Sequence, residues 1–307
     1  MVKYVVSRLG QTVIVLFLVA LVTFILINVA PGDPVDVMLE KRADEATKAR
    51  VREQLGLDKP YTEQFLNFIA GAVRGDLGKS YFQRKPVTEI VASGFLLTIQ
   101  LGLAALAVAV VIGLLVGTFA AIFRGKWVDR VLMVLAMLGI SAPVFWIAVL
   151  MQLVFGLYLR WFPISGQEMS GWLVMPVICL GLSYGASSAR VVRTNMIEVL
   201  SKDYVRTARS KGLSEVSVVG KHVLKNAGIS IITLVGMQLR SLISGAMVVE
   251  TVFSLRGLGM ISYDAIMARD IPLVQGCVLY TAVVYVLINL LIDLLYGALD
   301  PRVRLTA

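Results

Sequence analysis

The chain has 307 residues, of which 58% are hydrophobic and only 16% charged. That balance is too apolar for an ordinary soluble domain, and the apolar residues cluster in runs of about 20 without charge, long enough to cross hydrocarbon. The formal charge of +9 invites a nucleic-acid reading, but the basic residues concentrate in short loops between apolar runs, which points to a polytopic helical membrane protein.

Residues 1–8 are basic and precede an apolar run, as in a signal peptide. The run continues to residue 30, past the length of a signal h-region, and Pro31-Gly32-Asp33-Pro34 follows with no small-x-small cleavage site before it, so an uncleaved first span is expected. Six spans are expected in all, at 9–30, 95–123, 131–159, 173–189, 229–252 and 274–298. The chain then divides into an amino-terminal end with the first span (1–30), a far-side loop domain (31–94), a core of five spans (95–298) that includes the loop 190–228, and a tail (299–307). Gly113-Leu114-Leu115-Val116-Gly117 fits a small-xxx-small pattern, read as packing within the chain. Pro143 and Pro176 bend or start helices.

Charge sets the orientation. Loops on the side of the amino terminus hold 15 Lys/Arg against 5 Asp/Glu, whereas the opposite loops hold 13 of each sign. The first set is therefore expected to be cytoplasmic, with both termini inside.

Within the loop 31–94, residues 43–55 are charged, free of Pro and Gly, and followed by Gly56, which predicts a helix and its end. Residues 61–73 place Phe65, Leu66, Ile69, Ala72 and Val73 at helical spacing; this amphipathic helix either caps its own spans or docks a partner. Gly75-Asp76-Leu77-Gly78-Lys79-Ser80 ends like a phosphate-binding loop. That motif needs a glycine five residues before Gly78, where Val73 stands, so it is rejected. The rest of the chain carries no nucleotide signature, so any ATPase is expected on another polypeptide.

Three ionisable residues fall inside spans: Arg240, Glu250 and Asp293. A central Arg costs about 2.5–3.5 kcal/mol on insertion scales and must face a partner, a cavity or water. Arg240, Ser241, Ser244 and Glu250 are the candidates for a polar translocation path; an ion pair with another span or subunit is the other reading of Arg240. The lone His222 and the isolated Cys179 and Cys277 form no metal-ligand or catalytic spacing, so neither a metal site nor a catalytic residue is expected.

The loop 190–228 carries the clearest motif. Tyr204-Val205-Arg206-Thr207-Ala208-Arg209-Ser210-Lys211-Gly212 reads as a short helix ended by glycine, followed by a second short helix at 214–221. Thr207, Ala208 and Gly212 keep one face low enough to sit in a groove, and Arg206, Arg209 and Lys211 supply orienting charge. A basic loop lying on anionic lipid is the competing reading.

In order along the chain stand Pro31-Gly32-Asp33-Pro34, Leu55-Gly56-Leu57-Asp58-Lys59-Pro60, the 75–80 and 203–212 segments, Val248-Val249-Glu250-Thr251-Val252-Phe253, Arg269-Asp270-Ile271-Pro272-Leu273-Val274-Gln275-Gly276 and Leu299-Asp300-Pro301-Arg302. By their order and spacing the chain resembles the inner-membrane permease subunits of bacterial binding-protein-dependent ABC importers, in the peptide and nickel transporter branch. The resemblance implies an all-α type I importer fold with six transmembrane helices, an extracytoplasmic loop domain after the first and a cytoplasmic coupling loop between the fourth and fifth. It implies a second, homologous permease, two ATPase subunits that use ATP and Mg, and an external binding protein, with no cofactor and no catalysis on this chain. The family's coupling motif, E-A-A-x-x-x-G followed after nine residues by I-x-L-P, is met at Ala208, Gly212 and Leu224 but not at Arg206, Thr207, His222 or Lys225. Tyr204, Arg206, Thr207, Ala208, Arg209, Lys211 and Gly212 are then the ATPase-coupling residues. Peptides are the first choice of cargo, and nickel or a metal chelate the second. A secondary transporter would require internal repeats and carboxylates within spans, but no repeat is seen and Glu250 and Asp293 lie near span ends. A membrane enzyme would require a paired nucleophile and base or metal ligands on facing spans, which one histidine outside the bilayer and two isolated cysteines do not supply.

Overall fold

The computed structural model of the chain describes residues 2–29, 32–39 and 43–299, without the side chains of 2–9, 229, 230, 233, 240, 242–245 and 293–299. Its helices are α1 (Val2–Val29), α2 (Pro34–Met38), α3 (Glu45–Gln54), α4 (Tyr61–Val73), α5 (Val87–Ile122), α6 (Trp127–Ser141), α7 (Val144–Met151), α8 (Val174–Leu200), α9 (Asp203–Ser210), α10 (Glu215–Ser217), α11 (Leu224–Val252), α12 (Leu258–Ala268) and α13 (Ile271–Leu299). Two π-helical segments, Gln152–Tyr158 and Val218–Val223, extend α7 and join α10 to α11. Among the described residues, strand-like pairing is confined to one bridge between Lys79 and Pro86.

Among the described residues, four helical stretches are long and apolar enough to cross a membrane: Gly10–Val29, Val87–Ile122, Val174–Leu200 and Ile271–Ile292. A fifth follows if Trp127–Ser141 and Val144–Tyr158 count as one span, although they bend by 100° where they meet. The span expected at 131–159, with Pro143 bending or starting a helix, is thus two helices that meet at a sharp break. Pro143 lacks an N–H and cannot continue α6, and the residue before it, Ala142, is extended at φ −74, ψ 128. The span expected at 229–252 lies within α11, part of whose side chains fall outside the described residues.

The described residues up to Thr98 pack with Arg256–Leu294 as one compact unit. Its apolar centre joins Val87, Ile90 and Val91 of α5 to Leu258 and Ala265 of α12 and Leu273, Val274 and Cys277 of α13. Gly276 is required there, because a Cβ would lie 2.3 Å from Val87 Cγ1. Helix α4 takes the boundaries its sequence predicts and covers α1, with the Phe65 ring 5.9 Å from that of Phe17 and 5.3 Å from that of Phe24. Leu66 and Val73 are exposed, so the packed stripe is narrower than expected. Asp33 caps α2 by accepting from Val35 N at 2.8 Å and also accepts from Arg52 Nε at 3.1 Å. Burial raises its pKa, but the Arg52 and Val35 hydrogen bonds and the charge of Arg52 outweigh that and hold it below the usual carboxylate value.

The segment that mimics a phosphate loop has a structural use in this unit. Helix α12 ends in a Schellman motif: Asp270 N donates to Ala265 O at 2.9 Å and Arg269 N to Ile266 O at 3.2 Å. Arg269 takes the left-handed conformation at φ 57, which costs a non-glycine residue about 1–2 kcal/mol. The motif aims Asp270 inward. Its carboxylate, 1% exposed, accepts from Ser80 Oγ, from Tyr81 N at 3.1 Å and from Leu273 N at 3.4 Å.

Ile99–Leu255 form the body of the second unit, centred on α8. Helix α5 approaches α8 so closely that a Cβ on Gly113 would meet Ser188 Cβ at 2.4 Å and one on Gly117 would meet Ala189 O at 2.7 Å. The Gly113–Gly117 pattern thus packs within the chain. Cys179 and, in the first unit, Cys277 are free and buried.

Candidate functional site

The stretch expected as the loop 190–228 is nearly all helix. α8 runs on to Leu200, carrying Arg190 and Arg193 with it. Lys202 is extended at ψ 147 and starts α9, with Asp203 in the first turn. Thr207 Oγ1 and Ser210 Oγ bond back to Asp203 O and Arg206 O at 3.0 and 3.1 Å. Gly212, at φ +78, closes α9, with its N–H donating to Arg209 O at 2.9 Å. Ser214 then caps α10, its Oγ accepting from Ser217 N at 3.4 Å.

The separate second helix expected at 214–221 is corrected. From Glu215 the backbone stays helical through the π-segment into α11 without a break. The polar Gly220-Lys221-His222 suggests a loop, but Val218, Val219 and Val223 are buried against Val205 and Ala208 of α9 and Val192 and Met196 of α8. That burial holds the extra-wide turn in place.

The predicted coupling residues divide by face. Val205 and Ala208 turn inward into this cluster, so Ala208, expected on the docking face, supports that face from beneath. Tyr204, Arg206, Thr207, Arg209, Lys211 and Gly212 are exposed. Arg206 lies 3.6 Å from Asp203, and Arg209 grips Glu215 with two hydrogen bonds, Nε to Oε1 at 2.8 Å and Nη2 to Oε2 at 3.2 Å. That clamp ties α9 to α10 across the Gly212 turn. Beside it stand Leu213 and Val216, the latter 85% exposed. Sequence reasoning passed over both, although two apolar residues in a basic, polar segment were a visible signal. A second clamp was also missed: Arg193 of α8 reaches Asp129 of α6 with Nε at 2.6 Å and Nη2 at 2.7 Å, and Asp129 also accepts from Gly125 N at 2.9 Å. It fixes the α5–α6 turn to the same end of α8.

Of the proposed path residues, Glu250 is fully buried in the last turns of α11. Ser241 is exposed, its Oγ bonded to Met237 O at 3.3 Å and its carbonyl accepting from Tyr184 Oη at 2.9 Å. The side chains of Arg240 and Ser244 lie outside the described residues. A polar group the sequence reading missed lies one turn earlier. Gln238 is 6% exposed and donates to Tyr184 O at 2.9 Å and to Ser188 Oγ. A search confined to ionisable residues passes over a glutamine, although a buried amide is costly in an apolar run. No group of three or more His, Cys, Asp or Glu among the described residues is placed to hold a metal ion.

The long apolar helices are those of an integral membrane protein, and a charged helical elbow is braced against the ends of two of them. Comparison with known proteins identifies the chain further. Residues 113–305 match the family described as binding-protein-dependent transport system inner membrane component, and residues 1–102 match the corresponding amino-terminal family. The chain belongs to this family and is the permease component of a binding-protein-dependent ABC importer. It is 40% identical over 304 residues, 99% of both chains, to the glutathione transport system permease protein GsiC of Escherichia coli K12, and equally so to GsiC of Salmonella choleraesuis. Among solved structures it resembles the inward-facing MetNI methionine ABC transporter, with TM-score 0.60, 18% identity, and 69% of this chain and 96% of that one covered. An amino acid ABC transporter with histidines gives TM-score 0.52 at 17% identity, covering 69% and 94%. These two likenesses define the fold alone.

Proposed function

We propose that this chain is one half of the pore of an ATP-driven importer of short peptides, with six spans and both termini in the cytoplasm. Two ATPase subunits close on ATP and push the exposed face of α9 and α10, and the pore opens toward an external binding protein that delivers the peptide. A second, homologous permease completes the pore, and the chain itself binds neither ATP nor Mg. The observation that carries this reading is the elbow at 203–217. It is exposed and basic outside, buried at Val205 and Ala208 beneath, and continuous with α11. Such a body transmits a displacement instead of absorbing it. The orientation rests on the Lys/Arg asymmetry of the loops, and the peptide cargo on the likeness to GsiC. Arg240, Ser241, Ser244 and Glu250, together with Gln238, supply the polar wall of the path.

Uptake by the complex reconstituted with its ATPases and binding protein tests this reading. ATP-dependent uptake of short peptides, abolished when the binding protein is left out, is the expected result. Uptake of Ni(II) chelate alone would overturn the cargo, and uptake driven by an ion gradient without ATP would overturn the reading as a whole.

A further inference from the structure

Near the termini, α1 and α13 enclose a cavity of about 240 Å³ lined by Gln11, Thr12 and Val15 of the first helix and Tyr285, Val286, Asn289 and Leu290 of the second. Gln11 stands three residues after Arg8, the last charged residue before the uncharged run to residue 30, so the α1 wall of the cavity lies where hydrocarbon gives way to headgroups. Among the described residues, Asn289 Oδ1 is buried without a hydrogen-bond partner. At membrane depth an amide oxygen left this way costs free energy that a donor would recover. Val15, Val286 and Leu290 offer an apolar wall beside it, suited to an acyl chain. In the sequence Lys3 and Arg8 precede Gln11, and a basic flank to a span favours a phosphate.

We propose that this cavity binds one phospholipid through a headgroup that donates hydrogen bonds, the ammonium of an ethanolamine or the hydroxyls of a glycerol, to Asn289 Oδ1. Phosphatidylcholine has the same phosphate and chains but no N–H or O–H in its headgroup, so the site discriminates against it. The lipid fills the gap between the first and last membrane helices and ties them together at one leaflet.

The test uses the full transporter complex, stripped of lipid in detergent and reloaded from vesicles of equal parts phosphatidylethanolamine, phosphatidylglycerol and phosphatidylcholine. Native mass spectrometry then reads the retained lipid. The wild type is expected to keep one of the two donor lipids about fivefold over phosphatidylcholine, the change that one net hydrogen bond predicts. Asn289→Leu loses that preference, and Leu287→Ala, on a side chain outside the cavity, keeps it. Asn289→Asp retains the acceptor and adds charge, so it shifts retention toward ethanolamine; it carries the test if Asn289→Leu fails to assemble. Equal retention of phosphatidylcholine by the wild type, or unchanged selectivity in Asn289→Leu, overturns the proposal. So does a cross-link from Asn289→Cys to the second permease subunit, which would make a protein helix the occupant.

Discussion

Replacing Asp270 by Ala removes the acceptor on which the 79–86 turn is wound. The loss leaves Ser80 Oγ, 2% exposed, and the Tyr81 and Leu273 amides without their carboxylate. Hydrogen bonds to a charged acceptor contribute about 1.5–3 kcal/mol each, and stranding buried partners adds desolvation, but the freed turn relaxes toward water. A local destabilisation of about 3 kcal/mol follows, which is roughly a hundredfold in an opening equilibrium. Asp270→Asn keeps the size and one acceptor for Tyr81 N, so about 1–2 kcal/mol is expected. The assay is hydrogen exchange of the Tyr81 amide in the purified complex in lipid, with the exposed Asp264→Ala as control. Exchange should rise about a hundredfold in Asp270→Ala and stay within threefold in the control. A folded Asp270→Ala protein with unchanged exchange at Tyr81 would refute the reasoning.

Three further outcomes are expected. The Tyr81 hydroxyl is pushed up to about 12 by burial and by the neighbouring Asp270 charge; its stabilisation is complete below the ordinary phenol value of about 10 and is lost as pH climbs toward 12, so tyrosinate absorbance and loop opening should rise together in that window, and Tyr81→Phe should remove the coupled step. Gly276→Ala forces a methyl against Val87 Cγ1 at 2.3 Å and should destabilise by about 1–3 kcal/mol in thermal unfolding; Val87→Ala in the same chain should restore most of it, and failure to do so would count against that contact as the cause. Arg209→Glu should uncouple ATP hydrolysis from uptake; if the Arg209–Glu215 clamp is the whole reason, adding Glu215→Arg restores uptake, whereas continued loss with the protein inserted places Arg209 against a partner.

How much of this was legible depended on punctuation. Helix α4 was read with the boundaries it has because Pro60 and Gly75 bracket it, and α9 was read because Gly212 stops it. The bend at Ala142-Pro143 was announced by the proline, but not its 100° size, which tertiary packing decides. The fusion of α10 with α11 was hidden, because its polar turn is helical only through burial of Val218, Val219 and Val223 against residues of two other helices. Asp270 stood in a recognisable motif, yet its task required a partner 190 residues away, and no local pattern reports that. At Ala208, small size suggested a face low enough to sit in a groove, and the structure buries the residue where α9 seats on the bundle.

The unbroken run from Glu215 to Val252 also sets a mechanical length scale. At 1.5 Å per residue it is a rod of about 55 Å, and it contains one turn, at 218–223, wound wider than the rest. A π-turn holds one residue more than the α-turn it replaces, so tightening it would advance everything beyond by about 1.5 Å and rotate it by about 100°. A tightening of that turn would thus convert an axial advance into a twist at Gln238 and Glu250, two of the polar side chains carried by α11.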